Sequence, residues 1–381
     1  MAPQQAGQEN QLKLLLHSLS GGEPPSKSDV EIIAHGLGSS NSSVTSLATL
    51  CVLQSCTKGV NDTNIDLPDS FRAYVQHTFL AEGDVDPAHL VPCTNLLGSL
   101  FAHAPKAAIG LLHTPIGNQD EGTVDVFAIL LEAAELPSTL QPALAEMLGQ
   151  AASSKAGREL VEARATQWLR GAIAMAGNGG SSSELGVSCA VALSKLGRPE
   201  LSPDTGAVDT VDEGQKLAEE VVLCKTMMEH IKATSPGPHS STLYSTLQGL
   251  SVLSLKAPLR HVLITDKVFL KAFLDLSPTT KLRPSSLPLT PRGSMDLEEK
   301  LFEPVERSLC YALTMILVNM TSPKPVLSAE DAQVAQLREM AISGKKGGGE
   351  IKEDPFESDE AVKQRVDALI TAGIVESLSG L

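Results

Sequence analysis

Apolar and small residues recur at i, i+3, i+4 and i+7 in six stretches: residues 44–57, 90–104, 140–152, 185–196, 242–255 and 309–320. That spacing predicts amphipathic helices, each with one face to bury. With Leu50, Leu97, Leu144, Leu193, Leu250 and Ile316 as centres, the steps are about 47, 47, 49, 57 and 66 residues. The first three fall near the ~40–47-residue period of HEAT and armadillo units. The two longer steps contain visible insertions, rich in Pro, Gly and Asp at 202–214 and in Pro, Ser and Thr at 277–294.

Local grammar supports stacking. A helix at 242–255 leads through Ala257-Pro258 to a shorter one, and Asp266 stands before the apolar run 268–274. Its carboxylate suits the helix cap, because it can accept a bond from an unpaired first-turn N–H. Later, 309–320 is stopped by Thr321-Ser322-Pro323, 331–343 and 359–371 read as further helices, and Gly373 closes the last before 374–381 opens another. Gly ends helices this way because it tolerates positive φ. One helical hairpin cannot cover its own apolar face, so neighbours must. The expected fold is all-α, an armadillo/HEAT-like right-handed superhelical solenoid. The expected organisation is a disordered N-terminus at 1–10, helical repeats at 11–200 and further repeats at 214–381, with disordered insertions at 278–296 and 344–357. The last run, barely begun, suggests a fragment or a solenoid without its C-terminal cap.

Composition agrees. The 381 residues are 42% hydrophobic but 3% aromatic, with Trp168 alone of its kind, so Leu, Ala and Val carry the apolar positions. Those residues build helices more readily than β-sandwiches. A net charge of −15 and a pI near 5.1 argue against nucleic acid and anionic lipid as partners. Cys51, Cys56, Cys93, Cys189, Cys224 and Cys310 show no ligand spacing and read as buried thiols. No signal peptide and no apolar run of membrane-spanning length is visible, which predicts a cytoplasmic protein that does not engage a membrane. The Asn-x-Ser/Thr triplets at Asn41, Asn61 and Asn319 are accordingly not read as glycosylation sites.

Catalytic patterns are missing. The glycine-rich run 344–349 lacks P-loop spacing, and Gly177-Asn178-Gly179-Gly180 follows a helix where a dinucleotide site needs a strand. No Gly-x-Ser-x-Gly elbow or His-Glu-x-x-His pair occurs, and the nine His are dispersed. The expectation is no enzyme, no cofactor and no metal. Ser277-Pro278 and Thr290-Pro291 stand among Lys281, Arg283 and Arg292, so phosphorylation at Ser277 or Thr290 would set negative charge beside basic side chains.

Two blocks carry a family resemblance. The first runs from Leu243-Tyr244-Ser245-Thr246-Leu247 through Ser254-Leu255 to Phe269-Leu270-Lys271-Ala272. The second is Tyr311-Ala312-Leu313-Thr314-Met315-Ile316-Leu317-Val318-Asn319-Met320-Thr321, followed by Gln336-Leu337-Arg338-Glu339-Met340-Ala341 and by 362–375. They resemble the central armadillo region of the UCS family of myosin chaperones, the Cro, She and UNC proteins. The resemblance is close over 240–381, and before that it is one of helical style. As in fungal members, no tetratricopeptide domain is recognisable, and the family's C-terminal UCS domain is expected to be absent. The resemblance implies a co-chaperone of the myosin motor domain, with Hsp90 a candidate second partner. It also implies that Asn319 stands where armadillo repeats hold a peptide backbone. On its own residues, Asn319 reads rather as a group stabilising its helix end beside Thr321. The rival functions are a generic armadillo adaptor binding an extended peptide, and a helical enzyme.

Overall fold

The computed structural model describes residues 3–56, 67–80, 87–115, 123–135, 138–177, 184–196, 213–234, 241–277, 304–322 and 355–378. The expected helix at 331–343, Thr290, the run 344–349 and most of both insertions lie outside these. The chain divides into two compact units, Met1–Leu196 and Gly197–Leu381.

The first unit contains α1 (Pro3–Gly21), α2 (Lys27–Leu37), α3 (Ser42–Cys56), α4 (Asp69–Leu80), α5 (Pro87–His103) and α6 (Pro105–Leu112). Strands β1 (His113–Pro115) and β2 (Thr123–Asp125) then precede α7 (Val126–Ala133), α8 (Leu140–Ala151), α9 (Lys155–Arg164), α10 (Thr166–Gly177) and α11 (Glu184–Leu196). Three of the sequence centres become a spine. The helices bearing Leu97, Leu144 and Leu193 are α5, α8 and α11, with α5 packed on α8 and α8 on α11. Gly98 makes the first contact close, since a Cβ there would sit 3.4 Å from Met147 Cα. The core along the spine is aliphatic, with Leu90, Leu96, Leu97, Leu100, Leu144, Leu148 and Cys189 fully buried.

Three expectations change. α1 begins at Pro3, inside the stretch expected to be disordered. Proline suits a first helical position, having no N–H to leave unpaired, and Leu12, Leu15 and Leu19 bury the helix against α2 and α3. Leu50 is 47% exposed, because α3 turns Ala48, Cys51 and Val52 inward in its place. Finally, β1 and β2 pair antiparallel, His113 opposite Asp125, a two-stranded ribbon within an otherwise helical fold. Asp125 ends that ribbon and starts α7. Its carboxylate accepts the Ala128 N–H at 3.0 Å and pairs both oxygens with Arg164, at 3.1 and 2.6 Å.

The second unit contains α12 (Glu213–Ala233), α13 (Ser241–Leu253), α14 (Ala257–Thr265), α15 (Lys267–Leu274), α16 (Pro304–Thr321), α17 (Asp359–Ala372) and α18 (Ile374–Leu378). Asp266 caps α15 as expected, accepting from the N–H groups of Val268 and Phe269. It also takes the Lys232 ammonium of α12 at 2.9 Å. Burial works to raise the Asp266 carboxyl, but the Phe269 N–H and Lys232 hold it below the usual carboxylate range. Gly373 closes α17 at φ 96°, in the left-handed region. Residues 355–357, placed in an expected disordered insertion, are described. The Phe356 ring lies 5.3 Å from that of His261, and its carbonyl accepts a bond from buried Arg365, which fixes the turn.

Candidate interaction face

An α-helix leaves its last four carbonyls without partners inside the helix, and its C-terminus carries partial negative charge. In this chain, side chains from neighbouring elements close those ends. Lys195, in the last turn of α11, donates through Nζ to Gly149 O at 2.9 Å and Ser153 Oγ at 3.1 Å, at the end of α8. Asn319, in the last turn of α16, donates through Nδ2 to Ser251 O at 3.1 Å and Ser254 Oγ at 2.9 Å, at the end of α13. The two constructions match, a carbonyl and a serine hydroxyl in each. Arg365 of α17 does the same for α16, with Nε donating to Met320 O at 2.7 Å. Arg260 of α14 donates to Ser254 O and Leu255 O, at 2.9 and 2.8 Å.

These clamps are buried. Lys195 is 7% exposed, and burial pushes its ammonium down to about 8, with Glu146 working the other way. Arg365 is 2% exposed, and one nitrogen, Nη2, has no partner. Five of the six thiols are shielded for the same reason. Burial raises Cys51 and Cys56 to about 11, and Cys93, Cys189 and Cys224 to about 12.

What the clamps hold in place is a surface. On α16, Leu309, Leu313, Ile316, Leu317 and Met320 are buried, and α13 packs against the helix. The opposite side presents Tyr311, Thr314 and Val318 at i, i+3 and i+7, with Tyr311 66% exposed. Tyr311 and Val318 are thus two exposed large side chains on one side of a helix, flanking a threonine, and such a face can meet a protein partner. In the first unit, a cleft of about 800 Å³ is lined by Leu19, Pro24 and Pro25 with Arg72 and Lys106. Among the described residues no His or Cys lines it.

Of the residues singled out from sequence, Asn319 lies beside Val318 with both amide hydrogens spent on α13. At 9% exposure it is a buried link between two helices, which is the helix-stabilising role its own residues suggest. Ser277 is buried behind α18, and Thr290 is outside the described residues. Sequence reading missed Lys195 and Arg365, whose partners lie 46 and 45 positions away. A basic residue in a helix's last turn was the one available signal for Lys195. Among the described residues, no three His, Cys, Asp or Glu side chains are grouped to hold a metal. No described helix is long and apolar enough to cross a membrane.

Aliphatic helices packed in series and closed at their ends define a helical-repeat protein. Residues 4–234 match the UNC45-central family, described as "Myosin-binding striated muscle assembly central", and the chain belongs to it. The matched stretch precedes the two blocks on which the resemblance was read. Among solved structures the chain resembles UNC-45 from Drosophila melanogaster, with a TM-score of 0.51 at 16% identity, covering 99% of this chain. The fold is therefore that of an armadillo-like helical solenoid. The chain spans 46% of that protein's length. An engineered protein from the Northeast Structural Genomics Consortium is also similar, with a TM-score of 0.39, 12% identity, and coverage of 99% of this chain and 79% of that one. No curated protein sequence matches.

Proposed function

We propose that this chain is a myosin-directed co-chaperone, a non-catalytic solenoid that binds and protects the myosin motor domain in the cytoplasm and so supports actomyosin assembly. The observation that carries this reading is the match of residues 4–234 to a family described as myosin-binding. The mechanism is physical. A stacked-helix surface covers apolar segments that a large multidomain protein exposes while folding, and so keeps them from aggregating. Tyr311 and Val318 are the contact residues expected on α16, with Asn319 holding that helix to α13 beneath them. Hsp90 fits as a second partner that takes over the client.

The test is a pull-down with a purified motor domain, together with its heat aggregation followed by light scattering. The chain should bind and suppress scattering, and Tyr311→Asp with Val318→Asp should weaken both without changing the chain's melting temperature. No binding and no suppression by wild type would remove the myosin reading and leave a generic armadillo adaptor.

A further inference from the structure

Ser277 lies three residues past the end of α15 and is 6% exposed. Its N–H donates to Leu274 O, and its hydroxyl donates to Ser377 O of α18 at 3.0 Å, across 100 positions of sequence. Helix α18 has five residues, too few to be stable as a helix alone, and Val375 on it is exposed. What holds it is the turn at Gly373, its packing on α17, and the Ser277 hydroxyl.

We propose that Ser277 is a phosphorylation-controlled latch for α18. Pro278 follows it in the sequence, the pattern read by proline-directed kinases. Such an enzyme would form a bond between Ser277 Oγ and the γ-phosphorus of ATP while the bond to the β-phosphate oxygen breaks. The hydroxyl proton passes to the kinase's base, and ADP leaves. Oγ then no longer donates. It carries roughly −1.5 to −2 charge directly against the Ser377 carbonyl. The Ser377 carbonyl belongs to the last turn of α18, which carries partial negative charge, and Asp275 stands two residues away in the sequence, so the phosphoryl group is set against negative charge. Because α18 covers the hydroxyl, modification requires α18 to lift first. Phosphorylation then traps the lifted state, a population shift rather than a push.

The experiment uses the full chain, a proline-directed serine/threonine kinase and Mg-ATP, with peptide mass spectrometry for occupancy at Ser277 and hydrogen exchange for α18. Ser277 should be modified, and amides of α18 should then exchange about tenfold faster while α5, α8 and α11 stay unchanged. Gly373→Val, which strains the left-handed turn, should speed modification, and Ser277→Ala should make exchange in α18 insensitive to kinase. Modification that leaves α18 exchange unaltered would overturn the latch. So would a Ser277 that stays unmodified in wild type and Gly373→Val alike, whether or not the denatured chain is a substrate.

Discussion

The Lys195 ammonium lies 2.9 Å from the Gly149 carbonyl, joining the last turn of α11 to the last turn of α8. The chain uses a cation, buried and partly stripped of water, to close a helix end that has partial negative charge. Its pKa falls to about 8 from an ordinary 10.5. Between those values the unfolded chain holds the proton and the folded chain releases it, so this group's contribution to stability rises with pH from about 8 to 10.5. Lys195→Met removes the effect. Urea unfolding of both proteins across pH 7–9.5 should show wild type gaining on the variant by up to about 1.4 kcal/mol per pH unit above pH 8. A constant gap would mean that Lys195 does not titrate there.

Buried thiols work in the opposite direction. Five of the six cysteines are buried, and burial raises them from 9.0 to about 11 or 12. Their folded forms keep the proton that the unfolded chain gives up, so stability is full below pH 9 and declines as pH climbs toward 12. At pH 8 a thiol reagent should label Cys310 first, and the others only at the rate of unfolding. Rapid labelling of Cys93 in the folded chain would contradict this.

Asn319 holds α16 to α13 through two bonds. Asn319→Ala leaves the Ser251 carbonyl without that donor and should cost about 1–3 kcal/mol in urea unfolding. Asn319→Asp, the same size, sets a negative oxygen against that carbonyl and should be at least as harmful. If both variants melt like wild type, the amide is not holding the two helices together.

Two glycines inside helices should respond oppositely to alanine. At Gly157, a Cβ would stand 2.1 Å from Ala151 O, a backbone atom with little freedom to move. Gly157→Ala should lose about 1–3 kcal/mol or more, as overpacked sites do. At Gly171 nothing lies within 4 Å, and Gly171→Ala should gain about 0.5–1 kcal/mol from helix propensity. Thermal melts of the pair decide whether the tight approach at Gly157 exists in solution.

Much of the architecture was legible because helix periodicity is local. The centres Leu97, Leu144 and Leu193 fell on α5, α8 and α11, which pack in sequence, and the Asp266 cap and the Gly373 stop each needed only neighbouring residues. Leu50 was misplaced because α3 has apolar residues around much of its circumference, which leaves the inward side undecided. The clamps were invisible for a different reason. Nothing near Lys195 or Arg365 shows that a carbonyl some 46 or 45 positions earlier is waiting for a donor. Asn319 stood out in the sequence, but its partners on α13 did not. The ribbon of β1 and β2 is three residues long on each side, too short for an alternating pattern to register.

Arg365 bonds to Met320 O and to Phe356 O, so one guanidinium ties the end of α16 to the turn that leads into α17. Two places 36 positions apart in the sequence thus share a single anchor, and loss of that one side chain would release both together.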